Sequence, residues 1–148
     1  MTQLKELLGS KESRPALIDD ACNVLDQEVR EKSGLSGAAV KAAYSVVKGI
    51  KPGFIREVVD ALLDDFLDAL DPLRAQAADA QVPVSAYFRR DPDQVAEKLL
   101  GVTDARVEHA ERQIIKKTYS KLRPGAKKHV EAAVPRLSQM IERHLPQS

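Results

Sequence analysis

Two sets of charged residues are where this sequence could do chemistry. In the first, Glu57, Asp60, Asp64, Asp68 and Asp71 recur at intervals of three and four. On a helix that turns by about 100° per residue they gather within about 80° of arc. Carboxylates crowded on one helix can hold a divalent cation when they point into a bundle. Here no Glu-x-x-His motif accompanies them, and the apolar residues of the segment point elsewhere. Each neighbouring like-charged pair costs about 0.2–0.5 kcal/mol, and the last ones also oppose the helix dipole, about 1–2 kcal/mol for the row. A solvated face is the default reading of such a stripe, and a cationic partner laid along it is the alternative.

The second set is basic. Between Glu111 and Glu131 there is no acid, while Arg112, Lys116, Lys117, Lys121, Arg123, Lys127 and Lys128 supply seven cations. Those up to Arg123 occupy the half of a helical wheel opposite Ile114, Ile115, Thr118, Tyr119 and Leu122, so they face outward. Outward cations at regular spacing suit the phosphates of a nucleic acid. Lys41 and Lys48 hold the places of Lys116 and Arg123 in a possible repeat described below, which would make a second ridge. A net charge of +1 weighs against a polyanionic partner, as does the lack of a helix-turn-helix or zinc signature. The third reading joins the two sets: the basic helix, of the same chain or of a second protomer, lies along the acidic stripe. Such complementarity sets register more than affinity.

Nothing else pairs a nucleophile with a base. His109, His129 and His144 lack metal-ligand spacing, and Glu108-His109-Ala110-Glu111 reads as a solvated face. There is no Gly-rich phosphate loop and no Gly-x-Ser-x-Gly elbow. Cys22 reads as a small core residue. Tyr87-Phe88-Arg89-Arg90 could be an aromatic-basic contact patch, but a buried anchor is the stronger reading. No catalytic residue, metal or cofactor is expected, and the chain reads as a non-enzyme.

The elements that must carry these residues are helical. Apolar residues recur at three and four throughout, and no period-two run is bounded by hairpin turns. The expected fold is all-α, a single domain over 1–148 built as a bundle of six or seven helices. A short helix carries Leu4, Leu7 and Leu8. Ser13 then caps a helix with Pro15 in its first turn and a stripe of Leu17, Ile18, Ala21, Cys22, Leu25 and Val29, ending at Gly34. Leu35 and Ser36 suggest a staple and cap for a helix burying Val40, Ala43, Tyr44, Val47 and Ile50. Lys51-Pro52-Gly53 breaks the chain there. From about Phe54 to Leu70, apolar residues span roughly 220° of the wheel, wide enough to touch several neighbours at once, so this helix is expected at the centre. The Ala/Gln/Asp-rich stretch 72–83 is either its tail or a linker.

Asp91-Pro92-Asp93-Gln94 is the strongest local start signal, an N-cap carboxylate with a first-turn Pro and a Gln three residues after the cap. That helix is expected to stop near Gly101. Thr103 would cap a longer one burying Val107, Ile114, Ile115, Thr118, Tyr119 and Leu122, broken by Pro124-Gly125. A last helix buries Val130, Val134, Leu137, Ile141 and Leu145, with a kink at Pro135.

Comparing the chain with itself pairs Val24/Val102, Asp26/Asp104 and Val29/Val107 at one offset and Tyr44/Tyr119 with Ser45/Ser120 at an offset three shorter. Pro52/Pro124, Gly53/Gly125, Val58/Val130 and Ala61/Ala133 continue the series after a further shortening by three, about one helical turn. Chance alignment of aliphatic stripes and a true repeat of 13–72 by 91–146 both fit. A true repeat would set two three-helix halves about a pseudo-twofold axis.

Composition sets the limits. Of 148 residues 43% are hydrophobic, 30% charged and 4% aromatic, with no Trp, so the interior must be aliphatic. One cysteine, an opening MTQLKELLGS without an apolar stretch, and no run near the roughly 18 apolar residues of a membrane span point to the cytoplasm and away from membranes. Residues 1–80 carry 10 basic and 14 acidic side chains and residues 81–148 carry 13 and 8, which asks whether the halves neutralise each other.

The stretch GLSGAAVKAAYSVVKGIKPGFIREVVDALLDDFLDALDP, with VTDARVEHA and PRLSQMIERH, resembles a family of small bacterial all-helical proteins of unknown function. The resemblance runs nearly end to end. It implies a bacterial cytosolic helical domain and brings no activity or site residue with it. The function expected from the sequence is a non-enzymatic interaction or structural module that binds a protein partner or itself as a homodimer, with nucleic-acid binding through 112–128 as the alternative.

Overall fold

The computed structural model describes residues 3–146, and the described residues form seven α-helices and no strand. These are α1 (Leu4–Leu8), α2 (Arg14–Glu31), α3 (Gly34–Lys48), α4 (Phe54–Asp79), α5 (Val84–Arg90), α6 (Pro92–Glu108) and α7 (Gln113–His144). The all-α bundle expected from the spacing is what forms. As its wide apolar arc requires, α4 is central, packing against α1, α2, α3, α5 and α6.

The core is closed at one end of the bundle only. Leu4 and Leu8 of α1, Leu17 and Ile18 of α2, and Leu63, Leu67, Leu70 and Leu73 of α4 meet Phe88, Val95, Val134, Met140 and Ile141 there. Phe88, 1% exposed, is the buried anchor of the Tyr87-Phe88-Arg89-Arg90 segment, and the Tyr87 hydroxyl donates to Gln76 Oε1 at 2.8 Å. Cys22 is half-buried against this core, and burial pushes its thiol up.

Several boundaries differ from the sequence reading. The 72–83 stretch is mostly a helical tail, since α4 runs through Pro72 to Asp79. Asp91 caps α6 as expected, accepting from the Gln94 backbone N–H at 3.2 Å. The helix does not stop near Gly101, however; Gly101 is an ordinary helical residue, and Thr103 lies inside α6 with its hydroxyl donating to the Leu100 carbonyl. The break falls at 109–112 instead. Ser13 stands at the start of α2 without a capping side-chain bond, α2 ends at Glu31 rather than at Gly34, and α3 begins at Gly34. Ser36 is thus inside α3, where its hydroxyl meets His129, and Leu35, 94% exposed, staples nothing.

The largest correction concerns the second Pro-Gly pair. Gly53 takes φ +74°, the left-handed region, and separates α3 from α4. Gly125 stays right-handed, and α7 continues through Pro124 and Pro135 to His144. Helix-interior proline costs about 3 kcal/mol in isolation. Tertiary bonds hold α7 on both sides of it: Arg123 pairs with Asp104 before the proline, and Lys127 pairs with Asp93 and Glu97 after it. Further on, Arg136 bonds Glu28 and Glu31, and Arg143 bonds Asp20, fastening the C-terminal half of α7 to α2.

Candidate functional site

At the end of the bundle away from the closed core, the helices leave a cleft of about 880 Å³. One wall is the end of α2 and the face of α3, with Leu25, Val29, Val40, Ala43, Tyr44 and Val47. The opposite wall is the end of α6 and the first half of α7, with Thr103, Val107, Ile115, Thr118, Tyr119 and Leu122. The first two turns of α4 form the floor through Phe54, Ile55, Val58, Ala61 and Leu62. The 220° apolar arc of α4 is thereby explained: its later residues fill the closed core and its earlier ones line the cleft. The stripes that the sequence marks as buried on α3 and α7 are mostly half-buried here, because they face this space. Ala61 is itself exposed although it lines the cleft.

Each wall holds a tyrosine whose hydroxyl turns toward an aspartate of the adjoining helix. On the α6–α7 side, the Tyr119 hydroxyl donates to Asp104 and lies 2.7 Å from Thr103 Oγ1, while Arg123 grips the same carboxylate at 2.8 and 3.0 Å. The Arg123 and Tyr119 bonds hold the Asp104 carboxyl below its ordinary range. Burial, and then the Asp104 bond, push the Tyr119 hydroxyl up. On the α2–α3 side, Asp26 faces the Tyr44 hydroxyl and pairs with Arg30 at 3.0 Å. Burial and then the Asp26 charge push the Tyr44 hydroxyl up. Both rings therefore offer hydrocarbon to the cleft, with the Tyr119 hydroxyl engaged by Asp104 and the Tyr44 hydroxyl turned toward Asp26.

Charge is confined to the rim. Arg106, His109, Glu111 and Arg112 stand at the α6–α7 joint, and Glu57 of α4 is paired with Lys51 at 2.9 Å. The Arg112 guanidinium sits 5.6 Å from the Phe54 ring centroid and Lys51 Nζ 5.9 Å, within cation–π range.

Residues 4–145 match DUF6918, described as a family of unknown function. The chain belongs to DUF6918. No curated protein and no solved structure matches it. The DUF6918 match spans all seven helices, so both walls of the cleft and its floor lie within the matched region.

In this DUF6918 chain the acidic stripe is occupied from within. Arg14 bonds Asp60 at 2.7 Å and Asp64 at 2.8 Å, Lys5 approaches Asp68 at 3.7 Å, and Asp71 accepts from the Leu4 backbone N–H at 2.8 Å. The Asp64 and then the Asp60 bonds push the Arg14 guanidinium up. With Lys51 on Glu57, the five carboxylates seat α1 and the starts of α2 and α4. The row is therefore not simply solvated, and the basic helix of the same chain does not lie along it. Among the described residues no group of three or more His, Cys, Asp or Glu side chains is placed to hold a metal ion.

The basic set is divided. Arg123 and Lys127 are engaged with α6 carboxylates, and Arg112 and Lys48 lie over Phe54 and Tyr44. Lys41, Lys117, Lys121 and Lys128 are exposed and Lys116 half-buried, and among the described residues none of these five carries an ion pair. His109 is at the cleft rim, His129 bonds Ser36, and His144 bonds Asp20 at 2.9 Å. Sequence reasoning missed Arg14, Arg106 and the cleft itself. The one signal for the cleft was the excess width of the α4 apolar arc. No helix among the described residues is long and apolar enough to cross a membrane.

Proposed function

We propose that this DUF6918 chain is a non-enzymatic binding module that takes a hydrocarbon-rich ligand into the cleft. The observation that carries the reading is the cleft itself, about 880 Å³ with walls of aliphatic and aromatic side chains. Small-molecule sites typically occupy about 300–1,000 Å³ and are mostly apolar with a few polar groups at defined places. The Tyr119 hydroxyl donates to Asp104 and the Thr103 hydroxyl has the Leu100 carbonyl and the Tyr119 oxygen as acceptors, so both protons are engaged within the protein rather than directed at a ligand. Support for two related halves comes from the same place: the aspartates and tyrosines paired in the self-comparison, Asp26/Asp104 and Tyr44/Tyr119, face one another in both walls, with a hydrogen bond at Tyr119 and Asp104.

The test is titration with Nile red, a neutral dye whose emission rises in apolar surroundings. One dye per chain is expected, with binding lost in Ala61→Trp, which fills the cleft from an exposed position of α4. A signal that Ala61→Trp leaves intact refutes the reading. A second copy of the chain covering the cleft would show instead as a dimer in sedimentation, with no dye site.

A second reading is phosphate-backbone binding. It is supported by Lys116, Lys117, Lys121 and Lys128 along one helix, with Lys41 on α3, none of which carries an ion pair among the described residues.

A further inference from the structure

Resting on the cleft reading, we infer that the ligand is a single-chain amphiphile with an anionic head, of the fatty-acid class, its hydrocarbon in the cleft and its carboxylate at Arg106 and Arg112. The interior offers little to a polar ligand. Of its four lining hydroxyls, those of Thr103, Tyr119 and Tyr44 face aspartates or each other, which leaves Thr118, so a sugar or a nucleobase would bury most of its polar groups without partners. A methylene chain has none to satisfy and gains from every apolar neighbour.

The rim adds the sign of the head. Arg106 lies in the last turn of α6, where it has no ion pair among the described residues, and Arg112 precedes α7 with its guanidinium over the half-buried ring of Phe54. His109 lines the same cleft. Of the two rim acids, Glu57 is already neutralised by Lys51, which leaves Glu111 against two guanidiniums. Guanidinium recognises carboxylate through paired, charge-assisted hydrogen bonds. A neutral head would leave that capacity unused, and a cationic head would meet like charge at the mouth.

The experiment is displacement of Nile red by laurate, by dodecanol and by dodecyltrimethylammonium, below their aggregation concentrations. Wild type, Ala61→Trp and the double variant Arg106→Gln/Arg112→Gln are compared; both arginines are exposed, so the exchange leaves the packing in place. Laurate is expected to bind one per chain, about tenfold more tightly than dodecanol, as one charge-assisted hydrogen bond gives. The ammonium amphiphile should be weakest. In the double variant laurate should fall to the level of dodecanol, and in Ala61→Trp neither should bind. Equal affinity for laurate and dodecanol in wild type, with both abolished in Ala61→Trp, overturns the anionic head and leaves the cleft reading standing. A laurate preference that survives the double variant overturns the assignment to Arg106 and Arg112. Binding of either compound that Ala61→Trp does not reduce, or no binding at all, overturns the cleft reading and this inference with it.

Discussion

The Tyr119 hydroxyl of α7 donates to the Asp104 carboxylate of α6, with Thr103 and Arg123 completing the group. It is the polar clamp that closes the α6–α7 wall of the cleft. Replacing Tyr119 by Phe removes the donor while Arg123 still satisfies Asp104, so the loss should be the net value of one hydrogen bond, about 1 kcal/mol. Tyr44→Phe should cost less, because Asp26 keeps its ion pair with Arg30 and no third hydroxyl joins that group. Urea unfolding of the two variants checks the order. Equal losses would mean that the two clamps are worth the same.

The two Pro-Gly pairs make opposite predictions from one dipeptide. A Cβ at Gly53 would meet nothing within 4 Å, yet its φ of +74° is strained for any L side chain, so Gly53→Ala should destabilise by about 1 kcal/mol. At Gly125 a Cβ also meets nothing within 4 Å, but the backbone is helical, and Gly125→Ala should stabilise by about 0.5–1 kcal/mol. Thermal melts of the pair should move in opposite directions.

That contrast also shows where the sequence was legible. Leucine spacing located α1, the core stripe of α2 and α4 as far as Leu70, and the Asp91-Pro92 signal placed the start of α6 to the residue, because each rests on interactions within a turn or two. Gly101 and Pro124-Gly125 misled because local propensity is overridden by bonds between helices, Arg123 to Asp104 and Lys127 to Glu97, that no window along the chain contains. The charged stripes were found but not their partners. Arg14 is separated by 46 and 50 positions from the carboxylates it joins, and periodicity carries no information at that range. The cleft was hidden for a related reason: a residue that lines an open space and one that fills a core have the same hydropathy.

Arg14 should be the most consequential surface cation. It bridges Asp60 and Asp64, which repel each other one turn apart, and donates to the Asp60 carbonyl at 2.7 Å. Arg14→Gln returns that repulsion and removes charge-assisted bonds, a cost of about 1–2 kcal/mol at low salt. Raising the salt screens the exposed aspartates, so the difference between variant and wild type should narrow between about 50 mM and 1 M sodium chloride. A difference unaffected by salt would assign the effect to packing of the arginine stem.

If the free lysines of α7 bind phosphates, labelled duplex DNA or single-stranded RNA should show anisotropy changes that fall steeply between about 50 and 200 mM salt. Lys116→Ala with Lys117→Ala should then lower the salt slope by roughly one for each phosphate no longer neutralised. Binding absent at the lower salt removes this reading and leaves the cleft as the one site to pursue.

Stability should fall with pH in two separate windows. Burial and the nearby Lys32 charge hold His129 below its ordinary value. The unfolded chain therefore takes up this proton first, and stability present above about pH 6.5 is lost as pH falls from there through the folded value. His129→Gln should remove this first decline and can still reach Ser36. The second window belongs to two carboxylates. Asp104 is held low by Arg123 and Tyr119, and at Asp20 the opposing effect of burial is outweighed by bonds from Arg143 and His144. Their contribution is complete above the ordinary carboxylate value of about 3.9 and disappears as pH falls through their lower folded values. Urea midpoints for wild type and His129→Gln should lie closest at pH 7.5, separate by pH 5.5 as wild type alone declines, and keep that separation at pH 3.5, because the substitution cancels the first loss and leaves the second untouched.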